Sequence, residues 1–199
     1  MKITIRKIDK RYSKKLFQMQ EDVFCEKIDK NLLRHNTLEN FDEVFDKTNV
    51  TLGVFDKNKL VGFGILIIAK QNKILPNSLV YASTTLPCIK SEWIAKEKIN
   101  LKLAKNEKIK STTCLESCIG IVKLIIVKKE CRGKGIQMKI LKKFDHFYKK
   151  FGIKRVICSV SPFNFFSLNN FYSNGFRLIY RKNLYDGYDR LILAKNVKK

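Results

Sequence analysis

The first third of the chain alternates between two hydrophobic periods, one typical of strands and one typical of helices. Apolar and polar residues alternate over residues 3–8, which predicts a first strand. After Ser13, which we expect to cap a helix, apolar residues recur at helical spacing, and a second helix is predicted over residues 38–47. The β-rich runs Val50–Phe55 and Leu60–Ala69 are joined by a short polar turn and predict a hairpin.

The second half of the chain has a clearer pattern, in which strands and helices alternate. The predicted elements in order are a strand at Ile119–Val127, a helix at Gly135–Phe151, a strand at Arg155–Val160, a helix at Asn164–Asn174, and strands at Phe176–Arg181 and Arg190–Ala194. The apolar stripe of the first of these helices consists of Ile136, Ile140, Phe144, Phe147 and Phe151. The alternation predicts an α/β fold with a mixed central sheet of six to seven strands in a single domain, residues 1–199.

Residues 70–117 have no comparably regular period, although Val80–Ala82 is typical of a short strand and Trp93–Lys108 has a loose helical repeat. We interpret this stretch as an insertion over one face of the sheet. It either shapes the functional site or is a surface element without a special role.

The chain carries a formal net charge of +23, which raises the question of a polyanionic partner. Only 8 of the 41 basic residues are Arg, the side chain whose bidentate hydrogen bonds nucleic-acid recognition favours. The lysines are spread along most of the chain, often singly or in pairs. We therefore interpret the charge as a solvated lysine coat, which would still attract an anionic cofactor or an acidic substrate.

The cysteines and the start of the chain narrow the class further. The six cysteines include no C-x-x-C pair, and His35 and His146 lie far from any cysteine pair, which argues against a zinc site. The first residues contain no apolar signal core, and no apolar stretch approaches the length of a membrane span. We expect reduced thiols, no metal, no membrane contact and a cytoplasmic location.

The candidate chemistry lies in the loop Arg132–Gln137, between the strand that ends at Val127 and the helix predicted from Gly135. The first N–H groups of a helix lack internal partners and lie at its positive end. Glycines would let a diphosphate approach these amides without meeting a Cβ atom. The loop lacks the third glycine of a dinucleotide fingerprint, because Met138 stands there, and it is not a G-x-x-x-x-G-K-[ST] nucleotide loop.

The second half of the chain contains, in order, a strand, an R-x-x-G loop, an amphipathic helix, a strand, and an Asn164-x-x-Ser167 helix that ends in Gly175-Phe176. This order resembles the GNAT N-acetyltransferase superfamily. The resemblance is clearest over residues 118–194. The family's loop pattern is [RQ]-x-x-G-x-[GA], and Gln137 stands where Gly or Ala is commonest. The resemblance implies the GNAT fold, acetyl-CoA as the donor, and direct attack of an amine on the thioester.

The resemblance also implies which residues bind the cofactor. A strand end that splays from its neighbour would pair with the pantetheine arm, and a backbone N–H there would polarise the thioester carbonyl. The loop would hold the diphosphate, mainly through main-chain amides, and the later helix would line the arm. The implied cofactor-binding residues are Ile125, Ile126, Val127, Arg132, Gly133, Lys134, Gly135, Ile136, Gln137, Asn164, Ser167 and Phe171.

The catalytic positions depart from the family pattern. Many members have, at the position of Phe171, a Tyr that protonates the departing thiolate. Tyr172 follows one residue later, about 100° around the helix, so we interpret it as structural and keep it as the one candidate for the acid. Members often place a Glu base on the central strand, but its only charged residue is Lys123, which as a cation cannot accept a proton.

Two alternatives to an active acetyltransferase stay open. One is a basic module that binds nucleic acid or ribosomal RNA. Its stacking platforms would come from the aromatic cluster Phe163, Phe165, Phe166, Phe171 and Tyr172. We instead favour core and cofactor-channel packing for these rings and expect no nucleic-acid partner. The other is a homologue that binds CoA without catalysis. The acceptor, a small amine, a peptide or a protein, would be selected by the first two helices, residues 70–117 and the loop Leu184–Asp189, in a monomer or homodimer.

Overall fold

Seven strands form one mixed sheet in the computed structural model, which describes residues 2–26, 32–70, 118–184 and 187–198. The strands are β1 (Ile3–Lys7), β2 (Val50–Asp56), β3 (Lys59–Lys70), β4 (Cys118–Val127), β5 (Ile153–Val160), β6 (Arg177–Leu184) and β7 (Tyr188–Asn196). The helices are α1 (Ser13–Cys25), α2 (Leu38–Glu43), α3 (Ile136–Lys150) and α4 (Phe165–Ser173), with 3-10 turns at Lys10–Tyr12 and Lys129–Cys131.

The strand order across the sheet is β1-β2-β3-β4-β5-β7-β6. Only β4 and β5 run parallel, and every other neighbouring pair is antiparallel. A parallel pair needs a crossover connection, and α3 supplies it. The predicted α/β fold with a mixed sheet of six to seven strands is confirmed.

Helices cover both faces of the sheet, as two adjacent residues of β3 show. The ring of Phe63 lies 6.0 Å from the ring of Phe41 in α2. On Gly64 a Cβ atom would lie only 2.5 Å from Ile140 in α3. Because successive strand residues point to opposite faces, α2 and α3 lie on opposite sides of the sheet.

The apolar stripe of α3 differs in part from the predicted one. Ile136, Ile140 and Phe144 are buried as predicted, but Tyr148 continues the buried face, and Phe147 is only partly buried. The ring of Phe147 instead stacks on that of Phe151 at 6.4 Å. Each step of four residues advances about 40° beyond a full turn, so the buried side of α3 drifts around the helix from Ile136 to Tyr148, and Phe147, about 100° behind Tyr148, lies at its margin.

Two local predictions in the first half are wrong. Ser13 does not cap α1: it is the first helical residue, Tyr12 occupies the N-cap, and the Ser13 hydroxyl donates to Asp42 near the end of α2. The second helix ends at Glu43 and not at residue 47, because Asp46 accepts hydrogen bonds from Thr48 in a turn. The other predicted boundaries lie within three residues of the observed ones.

The insertion predicted at residues 70–117 lies outside the described residues, apart from Lys70 at the end of β3. The chain divides into two units, residues 1–71 with 117–199 and residues 72–116. Only the first unit is described, so the strand at Val80–Ala82, the helix at Trp93–Lys108 and the single domain stay predictions.

Candidate functional site

A cleft opens where β4 and β5 separate. The two strands pair from Cys118 opposite Ile153 to Ile121 opposite Ile157 and no further. On its other edge β4 stays paired with β3 as far as Val127, which lies opposite Gly62. Within the described residues, the last six residues of β4 therefore have no strand partner on the β5 side, and their backbone on that edge can pair with an extended ligand.

The predicted loop follows this free edge directly. After the 3-10 turn at Lys129–Cys131, Gly133 and Gly135 adopt the left-handed region with φ of 74° and 69°. Gly135 is the N-cap residue of α3. A Cβ atom on either glycine would meet nothing within 4 Å, so the space above the loop is open. The first-turn N–H groups of α3 thus lie at the positive end of the helix beside an open, glycine-lined surface.

The basic side chains of the loop contact the protein itself. The Nε atom of Arg132 donates to the carbonyl of Val127 at 3.0 Å, and its guanidinium lies 2.9 Å from the carboxylate of Glu26 at the C-terminus of α1. Lys134 donates through Nζ to the carbonyl of Glu130 at 2.8 Å. Arg132 therefore fixes the loop to the end of β4 and to α1, and the loop backbone is left as the candidate for contact with an anion.

Free strand edge, loop and α4 enclose one cleft of about 780 Å³. Ten of the implied cofactor residues line it: Ile125, Ile126, Val127, Arg132, Gly133, Gly135, Ile136, Gln137, Asn164 and Ser167. The structure adds Val23, Leu32, Leu33, Cys131, Phe166, Asn169 and Asn170. Lys134 and Phe171 do not line it.

Comparison with known proteins gives no match to the sequence, neither to a family model nor to a curated protein. Solved structures match over the whole chain. Arabidopsis thaliana NAA60 in complex with acetyl-CoA matches over 98% of this chain and 99% of its own, with a TM-score of 0.69 and 15% identity. The ribosomal-protein-S18-alanine N-acetyltransferase from Escherichia coli matches over 100% and 96%, at 0.63 and 12%. An acetyltransferase of the GNAT family from Streptococcus pneumoniae matches over 99% and 100%, at 0.63 and 14%.

The chain has the GNAT fold. The recognition of this fold from the strand, loop and helix order is confirmed. The NAA60 structure contains acetyl-CoA, the donor that we also expect for this chain from its sequence pattern.

Gln137 occupies the loop position at which the GNAT pattern most often has Gly or Ala. Its Nε2 donates to Ser167 Oγ at 2.9 Å, and its Oε1 accepts from Asn170 Nδ2 at 3.0 Å. The side chain thus bridges the start of α3 and the facing side of α4 at the cleft wall. A Gly or Ala could not form this bridge. The residues of the bridge were not predicted as partners, because Ser167 and Asn170 lie some thirty positions away in sequence.

The residues of α4 divide between cleft and core. Asn164 is the N-cap of α4 and accepts from the Ser167 N–H at 3.1 Å. The Phe171 ring is 4% exposed and meets Phe176 edge-on at 5.0 Å, so it packs in the core. Tyr172 is 36% exposed and does not line the cleft. The role of Tyr172 as the acid stays a prediction.

The expected packing of the aromatic residues in the core and the cofactor channel is found for Phe171 in the core and for Phe166 at the cleft, but not for Phe163 and Phe165. Phe163, Phe165 and Phe166 are all exposed, because they lie in the turn before α4 and in its first turn, outside the sheet-facing side. Of the three, only Phe166 lines the cleft.

Lys123 lies in a β-bulge of β4. The register between β3 and β4 shifts at this point, since Ile65 faces Leu124 and Leu66 faces Val122, which leaves Lys123 as the extra residue. The pKa of Lys123 falls to about 8, mainly because of burial and also because of the charge of Arg34, while Glu43 opposes the change. Lys123 does not line the cleft, so it contributes no proton acceptor there.

Other predicted features contribute no chemistry to the described site. Asp189 is paired with Arg181 across the β6–β7 hairpin. No helix in the part of the chain that the structure describes is long and apolar enough to cross a membrane. Among the same residues, no group of three or more His, Cys, Asp and Glu could hold a metal ion.

Proposed function

We propose that this protein is an acetyl-CoA-dependent N-acetyltransferase. The observation that carries the proposal is the continuity of the cleft, in which the unpaired edge of β4 leads directly into the glycine-lined N-terminus of α3. An extended pantetheine arm has amides that can pair with a free strand edge, and a diphosphate is an anion that a helix N-terminus binds. One ligand with both parts in this order is coenzyme A.

The residues of the chain would act mainly by binding and orientation. Ile125, Ile126 and Val127 would align the arm, and a backbone N–H there would stabilise negative charge on the thioester oxygen. The bound donor supplies the acetyl thioester, whose thiol has a pKa of about 8.5 and leaves readily without a dedicated acid. This fits the placement of Phe171 in the core, where a hydroxyl acid is absent.

The acceptor would be an amine. The names of some similar structures indicate peptide or protein substrates. One of them is a ribosomal-protein-S18-alanine N-acetyltransferase, and another is the NatC complex bound to Gag peptide and CoA. An α-amino group, with a pKa of about 7.7–8.0, needs less help with deprotonation than a lysine side chain at about 10.4. We therefore expect α-amines of peptides to be better acceptors than lysine side chains.

Calorimetric titration with acetyl-CoA tests the cofactor, and release of free thiol with a panel of amines and peptides tests the reaction. Gly135→Glu would put a carboxylate into the diphosphate position and is expected to abolish binding. Gly152→Glu is the matched control, because Gly152 also has a positive φ, at 61°, and open space around its Cβ position, but lies beyond the other end of α3. No heat of binding at millimolar acetyl-CoA would refute the proposal. Binding without thiol release for any amine would favour the non-catalytic alternative.

A further inference from the structure

Phe166 is an exposed aromatic ring at the cleft. It is the second residue of α4, its side chain is 87% exposed, and it lines the cleft together with Asn169 and Asn170. Asn169 and Asn170 follow Phe166 by three and four positions, so the three residues share one side of the helix. A large ring exposed to this degree buries almost no apolar surface within the described protein, so its presence at a binding cleft needs a different explanation from core packing.

The surroundings of Phe166 suit a planar, polar ligand more than an apolar one. Its neighbours in the cleft are amides and a hydroxyl: Gln137, Asn164, Ser167, Asn169 and Asn170. Gln137, Asn164, Ser167 and Asn170 are already hydrogen-bonded among themselves and form a polar wall. A heterocyclic base offers Phe166 a face for stacking and offers Asn169 an edge for hydrogen bonds. Asn169 is exposed, so its amide is accessible to such an edge.

We propose that Phe166 is the platform on which the adenine ring of coenzyme A stacks, with the Asn169 amide one helical turn away at the edge of the base. The inference rests on the proposed function and adds to it the position of the nucleotide end of the ligand. The cleft joins the Gly133–Gly135 surface, proposed for the diphosphate, to Phe166, so the base follows the diphosphate within one continuous cleft.

The test compares two donors with and without the ring. Acetyl-CoA affinity is measured by calorimetry. The affinity of S-acetyl-4′-phosphopantetheine, which lacks the 3′-phosphoadenosine and one phosphate of the diphosphate, is measured by displacement. Stacking of a base on an aromatic ring corresponds to a loss of about 5- to 150-fold when the ring is removed. We expect Phe166→Ala to weaken acetyl-CoA by this factor and to leave the affinity for the phosphopantetheine donor unchanged.

Two further variants separate stacking from general effects. Phe165→Ala removes the adjacent ring, which is 66% exposed but does not line the cleft, and should change neither affinity. Phe166→Trp keeps an aromatic face and should retain the acetyl-CoA affinity. Equal loss for both donors in Phe166→Ala, or no loss for either, overturns the adenine platform while the wild-type protein still binds acetyl-CoA. Absence of acetyl-CoA binding in the wild-type protein instead overturns the proposed function and this inference together.

Discussion

Replacement of Lys123 by Met is expected to stabilise the protein at neutral pH. The side chain of Lys123 is partly buried in the bulge of the central strand, where its charged form loses hydration. This burial is the main reason why the pKa of Lys123 falls from its ordinary value of 10.5 to about 8. Met has a similar length without a charge, so the variant removes the cost of burying the ammonium group.

The sign and the size of the effect follow from proton linkage. Between about pH 8 and 10.5 the unfolded chain keeps its proton on residue 123, whereas the folded protein releases it. The unfolded state then binds more protons, so the free energy of unfolding of the wild-type protein rises with pH in this window. Below pH 8 residue 123 is protonated in both states, and the full cost of burying its charge is present. This cost is about 3 kcal/mol, because each unit between the two pKa values corresponds to about 1.36 kcal/mol. It disappears as the pH approaches 10.5.

This difference is measured by urea unfolding of the wild-type protein and of Lys123→Met at several pH values from about 6 upward. The highest pH is 10.5, the ordinary pKa of lysine. The variant should be more stable by up to about 3 kcal/mol near pH 7, and the two free energies should converge towards pH 10.5. Lys139→Met is the control, because Lys139 is exposed on α3 and its replacement removes a charge from the surface. A stability difference between Lys123→Met and wild type that does not vary with pH would contradict the buried, titrating amine.

Three further predictions concern packing and the loop. Single and double alanine variants of Gln137 and Ser167 should give a coupling energy of about 0.5–1.5 kcal/mol in urea unfolding, and a coupling near zero would contradict the bridge. Gly135→Ala should lower the free energy of unfolding by about 1–2 kcal/mol, because an alanine at a φ of 69° is strained; an unchanged stability would contradict the left-handed N-cap. Gly64→Ala should destabilise the protein by about 1–3 kcal/mol, because its Cβ would lie 2.5 Å from Ile140. Gly120→Ala, whose nearest contacts would be at 3.3 Å, should destabilise it less. The reverse order in thermal unfolding would refute this packing.

The parts of the fold that could be predicted depend on residues close together in sequence. The period of Ile136, Ile140 and Phe144 defines α3, and the glycines before it define the loop, because both signals are local. The family resemblance implies that the end of β4 separates from β5, but no local pattern predicts it, because it depends on where pairing with a strand thirty residues later ends. The burial of Lys123 has the same origin, since the bulge exists only in the register with β3.

The candidate site shows the same division. The backbone cradle follows from Gly133 and Gly135, whose conformational freedom is visible in the sequence. The bridge from Gln137 and the exposure of Phe166 are tertiary features, and for both the sequence-based expectation was incomplete or wrong. An apolar run such as Phe165-Phe166 predicts burial, yet the first turn of α4 faces away from the sheet. The helical period offers a signal, since Leu168 and Phe171 lie three positions apart on the buried side of α4, and Phe166 lies about 160° around the helix from Leu168.

The glycine at the N-cap of α3 links the stability of the empty protein to its affinity for an anion. Helices commonly begin with Ser, Thr, Asp or Asn, whose side chain satisfies a first-turn amide and contributes about 0.5–2 kcal/mol. Gly135 has no side chain that could do so. A capping side chain would act as a tethered competitor of any docking anion, at an effective concentration on the order of millimolar or higher. The unliganded protein therefore forgoes the cap, and the unmet hydrogen-bonding capacity of α3 is part of the free energy with which an anion binds there.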